Sequence, residues 1–171
     1  MVQTWPPSVG FERELARMIP IHAHLLLNHV PIVGLMVGLV FLLVSVTRSS
    51  EATFLAGVRI LVVIGVIAVP VVVSGLLSAS ALEGVRWLDA GAVRQHRLAG
   101  ILTLGLLLPL ATASALILFD WSDDGRAVAP WVKKAIVALA VVALAMGLWT
   151  CDRGGTIRHS ELHEPAQIDR P

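Results

Sequence analysis

Four long apolar runs restrict what this chain can fold into more than any other feature of it. They cover residues 25–46, 54–79, 98–119 and 135–149, and the first holds no charged residue. A helix needs about 20 predominantly apolar residues to cross about 30 Å of hydrocarbon. The first three runs have that length, and the fourth reaches it when residues 128–132 or the stems of Lys133 and Lys134 contribute. Strands are not expected, because no alternating pattern lasts as long as the roughly 9–11 residues a transmembrane strand requires. Pro31, Pro70 and Pro109 fall inside the first three runs. Membrane helices tolerate such prolines as kinks when neighbours satisfy the freed carbonyls. The expected fold is all-α: a four-helix transmembrane bundle.

Composition agrees and removes other classes. Charged residues make up 15% of the 171 and hydrophobic residues 56%, whereas a soluble domain carries about 25% charged residues. This apolar balance makes the lipid bilayer the expected partner, and a formal net charge of +1 gives nothing that points to nucleic acid. The single cysteine, Cys151, forbids an internal disulfide, and without a C-x-x-C-H sequence covalent c-type haem attachment is excluded.

Around the membrane domain, residues 21–150, the sequence is polar. Residues 1–20 form a leader in which Phe11, Leu15 and Met18 share one side at helical spacing, as a short helix lying on the membrane surface would. A cleaved signal peptide is not expected, because the leader is acidic as well as basic and the apolar run is too long. Connectors fall at residues 47–53, 83–97 and 120–134. Trp121 and Trp131 in the last of these suit the interface, where amphipathic rings prefer to sit. Residues 151–171 form a polar tail.

Four crossings put both termini and the 83–97 connector on one side of the membrane. His22, His24 and His29 enter from that side, His96 opens the third helix there, and His159 and His163 follow the fourth. All six histidines therefore collect at one face. The depth is modest, since His29 lies only about 6 Å below Leu25 at 1.5 Å per residue. A cytochrome that carries electrons across a bilayer through two stacked haems needs ligands near both faces. This chain offers one site at one face.

Imidazoles at the mouth of a membrane helix are costly to bury and usually have a partner or a task. Haem b is the leading ligand, because two helices of a bundle can clamp iron between imidazoles. His29 and His96 are the expected axial pair, and Met146 is a fallback whose ordinary role is packing. Gly34, Gly38, Gly75, Gly100 and Gly147 offer room for a flat macrocycle, although the plain reading of Gly34-x-x-x-Gly38 is close helix packing. A metal ion is the second option. His24 and His29 stand about 140° apart on a regular helix, so a compact site using both needs a distortion. Pro31 would supply it by freeing the carbonyl of Leu27. The H-E-x-x-H signature of zinc hydrolases is absent. Asn28, one turn from His24, is placed to hydrogen-bond it, and His22 and His163 read as polar anchors.

The tail holds a second pattern, Gly154-Gly155-Thr156-Ile157-Arg158-His159-Ser160-Glu161. Adjacent glycines suit a tight turn after a helix end, from which Arg158 and His159 would fold back to the bundle mouth. Arg158 suits a haem propionate or another carboxylate, or equally a lipid phosphate. Glu161 either orients His159 or is solvated.

The stretch H-L-L-L-N-H-V-P-I-V-G at residues 24–34 resembles the opening of a family of bacterial four-helix membrane proteins that begin H-P-x-x-V-H-F-P or H-L-L-L-N-H-F-P. That branch also has a T-G turn near the end of helix two, H-E before helix three and a terminal G-G-x-I-R-H-x-E. The corresponding residues here are Ser74-Gly75, Gln95-His96-Arg97 and the 154–161 pattern. Serine replaces threonine at 74, and Arg97 stands where glutamate is usual, which removes an acid–base role there. The resemblance implies a b-type cytochrome or a redox-complex subunit of the bacterial inner (cytoplasmic) membrane. It also implies His24, His29, His96 and His159 as the functional set.

Basic residues set the orientation. Arg13, Arg17, Arg86, Arg94, Arg97, Arg153, Arg158 and Arg170 lie on the histidine side, against Arg48, Arg59, Arg126, Lys133 and Lys134 on the other. Positive-inside counting therefore favours a cytoplasmic histidine face. The function expected is electron transfer between that haem and a quinone or redox partner subunit, without a catalytic residue of its own. A cofactor-free structural or anchor subunit and a membrane metal-binding protein are the alternatives.

Overall fold

The computed structural model describes residues 9–82, 89–124 and 127–158, and every element among them is helical. Two helices, α1 (Val9–Leu27) and α2 (Val30–Arg48), make the first span; α3 (Glu51–Ala81), α4 (Ala90–Asp124) and α5 (Pro130–Arg158) make the other three. Each span is long and apolar enough to cross a membrane. The four-helix bundle expected from the apolar runs is the fold observed.

The helices follow one another around a ring. Packing runs from α2 to α3, α3 to α4 and α4 to α5, and α5 returns to α2, while α1 lies along α3. Leu35, Leu39 and Leu42 of α2 meet Phe54, Val58, Leu61 and Ile64 of α3 in the centre, with Leu107, Leu110, Ile136, Ala140 and Ala143 closing the core. The outside is also apolar: Leu26, Val66, Leu116 and Phe119 are each well over half exposed. A contiguous apolar exterior of this size is a surface made for contact with lipid or protein.

Local chemistry explains the helix ends. The α2–α3 turn needs only two residues. Ser49 takes the left-handed conformation (φ 51°), and Ser50 accepts the Thr53 amide at 3.3 Å as the N-cap of α3. Asp89 caps α4, its carboxylate accepting the Gly91 amide at 2.7 Å. The break between α1 and α2 falls at Asn28–His29, just before Pro31. Proline has no N–H to offer the Leu27 carbonyl and fits the first helical turn best. The distortion expected from Pro31 is present.

Three sequence expectations are corrected. Helix α1 runs from Val9 through Pro20 without a break, so the segment 11–18 and the first membrane-facing residues form one helix. Helix α4 begins at Ala90, which puts His96 in its second turn and not at its opening. Gly154 and Gly155 make no turn: α5 continues through both to Arg158. All three have one cause. The apolar runs mark the hydrocarbon layer, whereas the helices extend beyond it until a cap or a break stops them.

Candidate functional site

At the end of the bundle where α1 meets α3 and α4 meets α5, two imidazoles meet edge to face. The rings of His24 and His96 lie 6.1 Å apart, centroid to centroid, with their planes at 72°. Each is fixed from behind by a neighbouring helix. His24 Nδ1 lies 3.0 Å from the Val71 carbonyl of α3, and His96 Nδ1 lies 3.0 Å from the Thr150 carbonyl of α5. A carbonyl can only accept, so in each ring the Nδ1 must carry the proton. That leaves the two Nε2 atoms as the free lone pairs. Histidines that bind metals are typically oriented this way, by a hydrogen bond from the far nitrogen.

The two anchors share a construction. Four residues after each accepting carbonyl stands a glycine, Gly75 after Val71 and Gly154 after Thr150. A Cβ on Gly75 would lie 2.7 Å from His24 Cε1, and one on Gly154 would lie 3.0 Å from His96 Cε1. Glycine at these places is what lets an imidazole rest on the helix backbone. Hydroxyls reinforce both seats. Ser74 donates to the same Val71 carbonyl at 2.9 Å. Thr103 Oγ1 and Thr150 Oγ1 lie 2.8 Å apart beneath His96 and tie α4 to α5.

The other expected residues are distributed unequally. The ring in contact with His96 is that of His24, not His29, which stands at the N-cap position of α2 without a side-chain capping bond and is exposed. The helix break explains the choice: His29 stands beyond the last turn of α1, on another face from His24. His22 bonds back to its own helix at Met18 O, 2.9 Å away, and is exposed, as an anchor would be. Arg158 is the last residue of α5, and its side chain lies outside the described residues, as do His159, Glu161 and His163. Asn28 does not hydrogen-bond His24 through its side-chain oxygen, which is buried with no partner.

Residues that sequence reasoning passed over complete the rim. Arg153 is one turn outside Thr150 on the same face of α5, since residues three apart share a face. Its Nη1 donates to Gln95 Oε1 at 3.3 Å, its Nη2 pairs with Asp152 at 2.9 Å, and its Nε is buried without an acceptor. Arg153 carried no motif. The available signal was its position next to Gly154, the glycine that seats His96.

Room for a ligand is narrower than the glycine count suggested. Ile64 covers Gly34, Leu61 and Ile60 cover Gly38, and Ile32 covers Gly147, so these three serve helix packing. Gly75 is occupied by His24. Gly100, one turn from His96, faces open space.

The donor set separates the candidate ligands. Two imidazole nitrogens each about 2 Å from one ion place their ring centroids about 6 Å apart when they bind from opposite sides. The observed separation of 6.1 Å, in a T-shaped contact, is of that size. Among the described residues no group of three or more His, Cys, Asp or Glu could hold a metal ion. A structural zinc wants four protein ligands and a catalytic one three. A haem brings its own equatorial nitrogens, so two histidines complete its coordination. Two imidazoles would suffice as the protein ligands of a haem, whereas they fall short of the three or four that a zinc site takes.

Comparison with protein-family models, with curated proteins and with solved structures found no match.

Proposed function

We propose that this protein is an integral membrane electron-transfer protein of the b-type cytochrome kind, with one haem held between His24 and His96 at one face of the bundle. The observation that carries the reading is the pair of imidazoles in edge-to-face contact, each with Nδ1 committed to a helix carbonyl and Nε2 left as a ligand atom. Bound haem supplies the one-electron chemistry. The chain would orient the ligands, since the Val71 and Thr150 carbonyls hold each ring from the backbone. Anchoring by backbone carbonyls also raises ligand basicity.

A single site near one face suits exchange of electrons with a membrane quinone or a redox partner subunit on that side, not transfer across the bilayer. The basic residues around the histidine end support a cytoplasmic orientation. The opening and tail motifs support membership in the H-x4-H-x-P family of bacterial inner-membrane proteins.

A reduced-minus-oxidised absorbance spectrum of the detergent-purified full chain tests the reading. The expected result is a b-type band that disappears in His24→Ala and in His96→Ala but persists in His29→Ala. No band after expression with ample haem overturns the cytochrome reading and leaves the cofactor-free subunit in its place.

A further inference from the structure

The histidine pair accounts for neither of two polar atoms buried at the same end of the bundle, and one of them has a charge behind it. Arg153 lies on the α5 face that holds Thr150, one turn nearer the helix end. The next residue, Gly154, is in van der Waals reach of the His96 ring, and Gln95, which holds the guanidinium through Nη1, is the neighbour of His96 in α4. Arg153 thus bridges α4 and α5 at the level of His96, on the rim and not in the core. Its side chain is 33% exposed, so the guanidinium reaches solvent while its Nε stays buried and unpaired among the described residues.

The guanidinium is only partly engaged. It has Gln95 on Nη1 and the more exposed Asp152 on Nη2, with nothing on Nε. Guanidinium forks match carboxylates with two parallel N–H···O bonds, and such charge-assisted bonds are roughly twice as strong as neutral ones. Asp152 is 60% exposed, and a solvated neighbour of this kind contributes little and is readily displaced.

We infer that Arg153, steadied by Gln95, is an anion-binding subsite that takes a carboxylate of the ligand held by His24 and His96. The inference rests on the haem reading above, in which that carboxylate is a propionate. It assigns to Arg153 the role that the sequence pattern suggested for Arg158. Gln95 acts as a positioning residue, holding the guanidinium by its amide oxygen.

Titration of the haem-depleted, detergent-purified full chain tests this with two probes, haem b and its dimethyl ester, whose propionates are blocked and uncharged. Arg153→Gln is expected to weaken binding of haem b about tenfold and to leave binding of the dimethyl ester within about twofold of the unsubstituted protein. Arg153→Lys keeps the charge without the fork and is expected to fall between. Arg59→Gln, on the far half of α3, serves as the control and is expected to change neither affinity. Equal haem b affinity in Arg153→Gln and the unsubstituted chain overturns the inference while leaving the histidine pair standing. Equal weakening for both probes overturns it too, by showing a structural role for Arg153. If the unsubstituted chain binds neither probe, the haem reading itself fails and this inference with it.

Discussion

The two ends of the bundle are built from similar materials to different purposes. At the end away from the histidines, Glu51 opens α3 with its carboxylate shared between Lys133 and the amide of Val128, at 3.0 Å from the latter. The Lys133 ammonium also lies 5.3 Å from the centre of the Phe54 ring. Both members of the pair are largely covered, and both are satisfied. At the histidine end, polar groups are equally close together but unfinished. Two imidazoles present free Nε2 atoms, and Asn28 Oδ1 and Arg153 Nε are buried without partners. An unpaired buried polar atom costs about 1–3 kcal/mol; Ser114 Oγ, in the half of α4 away from the histidines, is another such atom, whereas the Glu51–Lys133 pair is closed. The histidine end therefore gathers two unpaired polar atoms beside two imidazoles, and the Glu51–Lys133 end has no such cluster among the described residues.

The contrast breaks most sharply at the glycines that seat the imidazoles. Gly75→Val puts a branched side chain where His24 now rests, since even a Cβ there would lie 2.7 Å from the ring. The expected outcome is loss of the b-type band with helix content by circular dichroism unchanged. A retained band would mean that His24 does not need this seat.

At the opposite end the effect is on stability alone. Lys133→Met leaves Glu51 covered and half-paired, which is expected to cost about 1.5–3 kcal/mol as the loss of a charged hydrogen bond. Thermal unfolding in detergent should show the lowered midpoint, while the haem spectrum of the folded protein stays the same. A spectral change would join two ends that the comparison separates.

The smallest effect is expected at Asn28. Replacing the amide, whose oxygen is buried and unpaired, by leucine removes that oxygen's desolvation cost, so Asn28→Leu should hold the ligand-free protein within about 1 kcal/mol of its original stability or raise it. A large loss of ligand-free stability would show that Asn28 is part of the scaffold and would narrow the unfinished set to Arg153 and the histidines.

The fold was legible because hydrocarbon imposes its own length on a helix. Runs such as 54–79 and 98–119 locate the spans with no further information, and an even number of crossings then brings His24 and His96 to one end. Helix limits were less legible, because outside the hydrocarbon they depend on single caps such as Asp89 and Ser50. Two adjacent glycines read as a turn, yet Gly154 is held in helix, its bare backbone covered by His96. The choice between His24 and His29 was hidden for a related reason. Spacing shows that the two do not share a face, but which of them looks inward depends on where Pro31 breaks the helix and on where α3 offers a carbonyl. Arg153 was hidden among the basic residues because its significance is a matter of packing and not of any motif.

The central claim is that His24 and His96 together bind one iron, and the spin state of that iron tests it most directly. Electron paramagnetic resonance of the oxidised, haem-loaded full chain is expected to show a low-spin ferric signal of the bis-imidazole type. His24→Ala should convert it to a high-spin signal, while His29→Ala leaves it low-spin. A high-spin signal from the unsubstituted protein, or a low-spin signal that survives in His24→Ala, would contradict the account.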